Sequence, residues 1–407
     1  MRALAAACSA AALMALTPIT AAAQPACPNA VAPPPPVDTS EVPAPGQPSP
    51  APLPVPDEPV GGPRLGECGE ITPPGVAPPP VDQVGAQSWV LADLDTGQVL
   101  AARDPHARHR PASTIKVLTA LLAVRDLDPD DTITATQADA DQEGSKVGLE
   151  PGATYTVRQV LAGLLMQSGN DAAHALAVKL GGVEAAVAKA NALAAELGAR
   201  DTRTATPSGL DGPGMSTSAY DLAVIFRTAM QRPEFAQAAA TKQILLPGKP
   251  GGPPMPVGSD NVVVLNYPGA IGGKTGFTDD ARHTFIAAAD RGGRRLVAVL
   301  MRGENQPVRL SKQTTNLLDY GFALPPGSPP VGELTSEPPA PPPFSPRPQA
   351  APGPAAQAAA QPAGSGRPVL FGVGALVVVG AVGGGFLVRR NRIASARRAE
   401  NASDEHP

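Results

Sequence analysis

Proline decides where this chain can and cannot fold. Of its 407 residues 51 are proline, and most of them crowd into two stretches, roughly 28 to 80 and 325 to 367. Pro, Ala, Gly and Gln leave little in either stretch to bury against the entropy of ordering it. Between them lie about 245 residues of mixed composition, ample for one domain with a substantial core. Length alone allows two or three domains, but the uneven composition reduces them to one. The net charge of −4 is small, and no basic cluster lies in the central part, which argues against nucleic acid as a partner.

The ends carry their own signals. Arg2, the apolar run Ala3 to Leu16 and Ala21-Ala22-Ala23 ahead of Gln24 read as a cleavable secretory signal over 1–23. Cleavage takes Cys8 away and leaves Cys27 and Cys68, an even count in an oxidising compartment, which predicts a disulfide closing the Pro-rich arm 24–83. Val369 to Val388 is an uncharged, largely apolar run of 20 residues, enough to cross about 30 Å of hydrocarbon as a helix. Arg389, Arg390, Arg392, Arg397 and Arg398 follow at once. The expected layout is therefore a single-pass protein of the cell membrane: a central domain at 84–325 outside, a Pro/Ala-rich linker at 326–367, a spanning helix at 368–388 and a cytoplasmic tail at 389–407. Stretched as polyproline II, such a linker reaches on the order of 130 Å.

Within the central part, Trp89-Val90-Leu91-Ala92, the turn Asp95-Thr96-Gly97 and Val99-Leu100-Ala101 predict an opening hairpin. Ile115, Leu118, Leu121 and Leu122 recur at helical spacing after Pro111. Further helices are expected over Val157 to Met166, Asp171 to Leu180, Val183 to Leu197, from a Ser216-Thr217-Ser218 cap to about Gln231, and over about Val308 to Tyr320. Strands are expected at Val262 to Leu265, around Lys274, at His283 to Ala289 and at Leu296 to Met301. Strands at both ends with helices between them imply an α+β fold, an antiparallel sheet of about five strands assembled from both ends of the domain around a helical insert.

Three short strings carry the chemistry: Ser113-Thr114-Ile115-Lys116, Ser168-Gly169-Asn170 and Lys274-Thr275-Gly276. The first two patterns each arise about once by chance in such a chain, so their weight lies in order and setting. Ser113 and Lys116, three apart at a helix start, project from one face. A lysine takes a serine proton only if burial or a second cation lowers its pKa, and Lys274 supplies that cation. Ser168 and Asn170, in a break between apolar helices, present a hydroxyl and an amide to a cleft. Gly276 in a strand marks close approach by another backbone, here a substrate peptide added along the strand. Strict alternation sends Lys274 and Thr275 to opposite faces, so pattern alone leaves Thr275 unplaced.

Together the motifs resemble the penicillin-recognising serine enzymes, and over about residues 84 to 325 the surroundings look like the low-molecular-mass D-alanyl-D-alanine carboxypeptidases, with a β-lactamase/DD-peptidase-like fold. The likeness rests also on Pro111-Ala112, on Thr206-Pro207-Ser208-Gly209-Leu210, on Ser216 to Ala223 and on Asn266-Tyr267-Pro268-Gly269 running to Phe277-Thr278-Asp279-Asp280-Ala281. It implies that Ser113 forms an acyl-enzyme, that Lys116 is the general base and that Ser168 and Asn170 complete the proton and substrate network. Lys274 and Thr275 would bind a terminal carboxylate, with the N–H groups of Ser113 and Phe277 as oxyanion hole beside Gly276. The implied substrates are peptidoglycan stem peptides, with β-lactams as covalent inhibitors and no metal or cofactor. Arg282-His283 stands where such enzymes carry a glycine and a small or aromatic residue, which puts the following strand in question. A Pro-rich tract after Leu324 stands where many relatives carry a C-terminal β domain.

Other readings weigh less. Ser259-Asp260-Asn261 spells a β-lactamase motif but lies only 15 residues before Lys274, leading into an expected strand. His106 and His109 lack the intervening glutamate of a zinc helix and are read as part of a solvated, Arg-rich loop. A β-lactamase, an endopeptidase acting on cross-links and a silent penicillin-sensing receptor remain the rival activities.

Overall fold

A computed structural model describes residues 27–335 of the chain. The secretory signal and the C-terminal spanning helix inferred above lie outside the described residues, within which no helix is long and apolar enough to cross a membrane.

The arm comes first. A 3-10 turn at Pro63–Gly66 and the short strand β1 (Glu70–Ile71) follow an irregular stretch, and Cys27 is bonded to Cys68. The hairpin expected from the turn at Thr96-Gly97 forms as β2 (Ser88–Asp93) and β3 (Gln98–Arg103). The helical part then opens with α1 (Lys116–Asp126), with β4 (Thr132–Thr134), α2 (Gln137–Ala140) and β5 (Thr154–Thr156) as a small excursion. Next come α3 (Val157–Met166), α4 (Asn170–Lys179), α5 (Val183–Glu196), α6 (Ala219–Met230) and α7 (Pro233–Ala240). A second small hairpin, β6 (Gln243–Leu246) and β7 (Met255–Gly258), leads to α8 (Val262–Asn266). Three long strands, β8 (Ala270–Thr278), β9 (Arg282–Arg291) and β10 (Arg294–Gly303), then α9 (Leu310–Ala323) and β11 (Gly332–Glu333) complete it.

The main sheet is antiparallel in the order β1-β3-β2-β10-β9-β8, with β11 also on β3. Its five long strands are the expected sheet; β1 and β11 add two residues each from segments whose composition reads as arm and linker. Both faces are covered, as the strand sequences show. Trp89 and Leu91 join Leu296, Ala298 and Leu300 in a core under α9, whereas Val90 and Ala92 join Val297, Val299 and Met301 in a larger core under the helical part. Period-two alternation thus sorts apolar residues to two cores rather than to core and solvent.

Three local expectations are corrected. Val262 to Leu265, read as a strand from its β-branched run, is helical because Asn261 caps it, its Oδ1 accepting from the N–H groups of Val263 and Val264. Arg282-His283 does not interrupt the sheet: β9 begins there and pairs with β8 through Phe277 and Thr278. Arg282 has φ of 56°, the conformation that makes a glycine the ordinary choice, and ion-pairs with Glu304. The segment of His106 and His109 is not a solvated loop, since Arg108, His109 and Arg110 are all buried. The arm covers it: Arg108 donates to the carbonyls of Val31, Leu53 and Pro54, and Arg110 to Glu41 and the carbonyl of Pro34.

Candidate active site

Ser113 sits on a 3-10 turn, Ala112–Ile115, that runs directly into α1. Ala112 has φ of 47°, a costly conformation for a residue with a Cβ, and it persists because its surroundings over-determine it. The Pro111 carbonyl accepts from Thr114 Oγ1 at 2.6 Å and from Thr284 Oγ1 of β9 at 2.8 Å. Gly209 packs so closely that a Cβ there would lie 2.0 Å from the Ala112 oxygen. The nucleophile's turn is thereby pinned to the sheet on one side and to the 206–210 loop on the other.

Lys116, the first residue of α1, is fully buried. Its Nζ lies 2.9 Å from Ser113 Oγ and 2.6 Å from Asn170 Oδ1, and it also donates to the Ser208 carbonyl. Burial first, then the charge of Lys274, pull its pKa well below the ordinary lysine value, with Asp171 and Asp260 opposing. A neutral amine has two N–H groups and one lone pair. Two carbonyl oxygens take the N–H groups, so the lone pair is left facing the Ser113 hydroxyl.

Across the site, Lys274 of β8 is equally buried and donates to Ser168 Oγ at 2.9 Å and to the Thr275 carbonyl at 2.6 Å. Burial lowers its pKa to about 8, with Asp260 opposing. Ser168 is held at φ of 56° in the break between α3 and α4. Asn170, at the start of α4, also donates to the Glu143 carbonyl at 2.5 Å. Thr275 is half-buried beside Lys274, and Phe277 is 47% exposed with its ring against His283 and under the Arg282 guanidinium. A Cβ on Gly276 would lie 2.8 Å from the Ser113 nitrogen, so the backbone that approaches this glycine is the nucleophile's own turn, not the substrate peptide expected from the sequence.

All three sequence motifs therefore meet in one place. Sequence reasoning missed the residues that hold them there. Asp171, directly after Asn170, accepts from the N–H groups of Val147, Gly148 and Leu149, and Thr284 secures Pro111. The Ser208 carbonyl belongs to a string already singled out, but nothing in its side chain announces a backbone acceptor. Asn261 spends its side chain on capping α8 and takes no part as a second motif. His106, Asp201 and Asp221 bring ligand atoms within 4.8 Å of one another. Arg108 Nε already sits 2.9 Å from Asp201, which supplies the positive charge a metal would bring.

A serine hydroxyl 2.9 Å from the amine of a buried lysine whose pKa is lowered, beside an edge strand of the sheet, is the arrangement of a serine hydrolase of the acyl-enzyme class. A family model described as D-alanyl-D-alanine carboxypeptidase matches residues 75–305. The chain belongs to this family of serine peptidases. It is 52% identical over 252 residues to the D-alanyl-D-alanine carboxypeptidase DacB2 of Mycobacterium tuberculosis, covering 61% of this chain and 86% of that protein. With DacF of Bacillus subtilis it shares 34% identity over 244 residues, 58% of this chain and 62% of DacF. The crystal structure of a D-alanyl-D-alanine carboxypeptidase from M. tuberculosis H37Rv superposes with a TM-score of 0.62 at 50% identity, covering 65% of this chain and all of that one. A DD-transpeptidase of Streptomyces K15 gives 0.56 at 29% identity, covering 59% and 99%.

Proposed function

We propose that this protein removes the terminal D-alanine from peptidoglycan stem peptides through an acyl-serine intermediate and that penicillins acylate the same serine. The observation that carries the reading is the 2.9 Å contact between Lys116 Nζ and Ser113 Oγ, with both remaining amine N–H groups directed at carbonyl oxygens.

The terminal carboxylate of the peptide binds at Lys274 and Thr275, and the peptide lies along β8 as an extra strand. Lys116 takes the Ser113 proton as Oγ attacks the penultimate carbonyl carbon. The N–H groups of Ser113 and Phe277 receive the resulting oxyanion. Collapse breaks the C–N bond, and the proton taken up by Lys116 is relayed through the Ser168 hydroxyl, which gives its own proton to the leaving D-alanine amine as it receives that one, so Lys116 is neutral again. Water then gives a proton to Lys116 as it attacks the ester carbonyl, and that proton returns to Ser113 Oγ as the C–O bond breaks, restoring both residues. The N-terminal signal and the apolar run Val369 to Val388 with its arginine flank support a membrane-tethered enzyme acting outside the cell.

Incubation with pentapeptide and with cross-linked muropeptides, read by product mass, tests the reading. Loss of one alanine from the pentapeptide is expected, with a drop of roughly three orders of magnitude or more in Ser113→Ala. Cleavage of cross-linked dimers alone would replace the carboxypeptidase by an endopeptidase.

A further inference from the structure

The family match begins at residue 75, so the disulfide-closed arm lies ahead of everything the comparison covers. Of its several contacts with the domain, two stand beside the catalytic residues. Arg108 and Arg110, whose side chains grip the arm, belong to the segment that feeds into Ser113. The other grip is at the turn after β8, where the buried Asp280 carboxylate accepts from the Val37 N–H and from Ser40 Oγ. One stretch of arm thus touches both segments that border the groove.

The direction of the substrate makes this placement matter. On the reading above, the terminal carboxylate sits at Lys274 and Thr275 and the scissile carbonyl at the Phe277 N–H. The remainder of the peptide therefore continues past Thr278 toward Asp279 and Asp280, which is where the arm stands. Asp211 lies by this path, beside Thr278 and within the field of the Asp280, Arg110 and Glu41 charges. Val37, although seated by its backbone on Asp280, leaves its side chain 66% exposed; Val42 of the arm and Phe277 on β8 are exposed as well.

We infer that residues 37–41 of the arm form the wall of the groove on the acyl side of the scissile bond and take part in recognising the stem-peptide residues upstream of the D-alanine pair. The inference rests on the proposed function. A staple that only stabilises the fold has no need to place its chain at the end of the substrate strand with an apolar side chain left uncovered. Upstream residues buried against Val37 and Phe277 gain binding that a truncated substrate cannot use.

The test compares kcat/KM for a pentapeptide stem with that for N-acetyl-D-Ala-D-Ala, in the unaltered chain, in Val37→Ser and in the Cys27→Ser, Cys68→Ser pair. The ratio of pentapeptide to dipeptide is expected to fall roughly fivefold in Val37→Ser, mainly through KM, and further when the arm is opened. If the double variant fails to fold, Val37→Ser still decides, because an exposed side chain can be shortened without disturbing the core. A ratio unchanged in Val37→Ser, with labelled penicillin still attaching to the unaltered chain, overturns the role of the arm alone. Absence of penicillin labelling in the unaltered chain overturns the Ser113 reading and this inference with it.

Discussion

Two lysines of the same type are asked for opposite charge states within one site, and burial alone does not separate them. Burial of Lys116 and the charge of Lys274 both favour its neutral form, with Asp171 and Asp260 opposing. Lys274 keeps its proton up to a pH of about 8 because Asp260 offsets part of the desolvation. The signs follow directly. In the proposed mechanism Lys116 acts deprotonated, so kcat/KM is expected to rise as pH climbs through its lowered pKa. In the same mechanism Lys274 acts protonated, so kcat/KM is expected to fall as pH climbs through about 8. A bell-shaped profile is expected, with the alkaline limb near pH 8. Lys274→Arg, whose guanidinium stays charged, should push that limb upward at some loss of rate, since the fork does not match the Ser168 and Thr275 oxygens met by an ammonium. A profile still rising at about pH 10 in the unaltered enzyme contradicts this assignment.

Among the elements, α4 matters most, because one short stretch holds both a catalytic contact and its support. Asn170 touches Lys116, and Asp171 ties three successive backbone N–H groups of the 147–149 stretch to the helix. The Glu143 carbonyl, just upstream on the same stretch, fixes the Asn170 amide. Asp171→Ala leaves those donors buried without their acceptor, a loss of about 3 kcal/mol. Thermal melting should fall by roughly 5–10 °C, and penicillin acylation should slow as Asn170 loosens. A melt within about 1 °C of the parent would show the clamp to be unimportant. The helices α2 and α7 went unread in the sequence, and so did the shortest strands. β4 with β5 and β6 with β7 are strands of three or four residues, too short for period-two alternation to register. The Val-rich α8 was misread because β-propensity outvoted a single capping asparagine.

At the scale of the whole molecule the arm changes what the proline count seemed to mean. A Pro-rich chain carries few apolar contacts of its own, yet it is held here by backbone carbonyls accepting from two buried arginines and by one disulfide. Closing a loop with a sequence separation of 41 removes unfolded-state entropy worth about 4 kcal/mol. Reduction should therefore lower the melting temperature by several degrees, measurable by calorimetry with and without reductant. An identical melt in both conditions would mean that the bond adds nothing to stability. Residues 331–335 return to β3 at the other end, where Tyr220 donates to the Glu333 carbonyl. The sheet thus collects strands from both of the segments that flank the domain.

By itself the sequence determined the elements with long, regular patterns, the order of the three motifs and the pairing of Cys27 with Cys68, because spacing, composition and parity are properties of a chain before it folds. α3 occupies the residues its periodicity marks. What only the tertiary structure decided is which groups lose water together. The lowered pKa of Lys116 comes from its burial and from the charge of Lys274, a residue that no spacing links to it. The burial of Arg108 and Arg110 likewise comes with an arm whose docking composition does not foretell. Desolvation depends on neighbours distant in sequence, and those neighbours exist only once the chain has closed on itself.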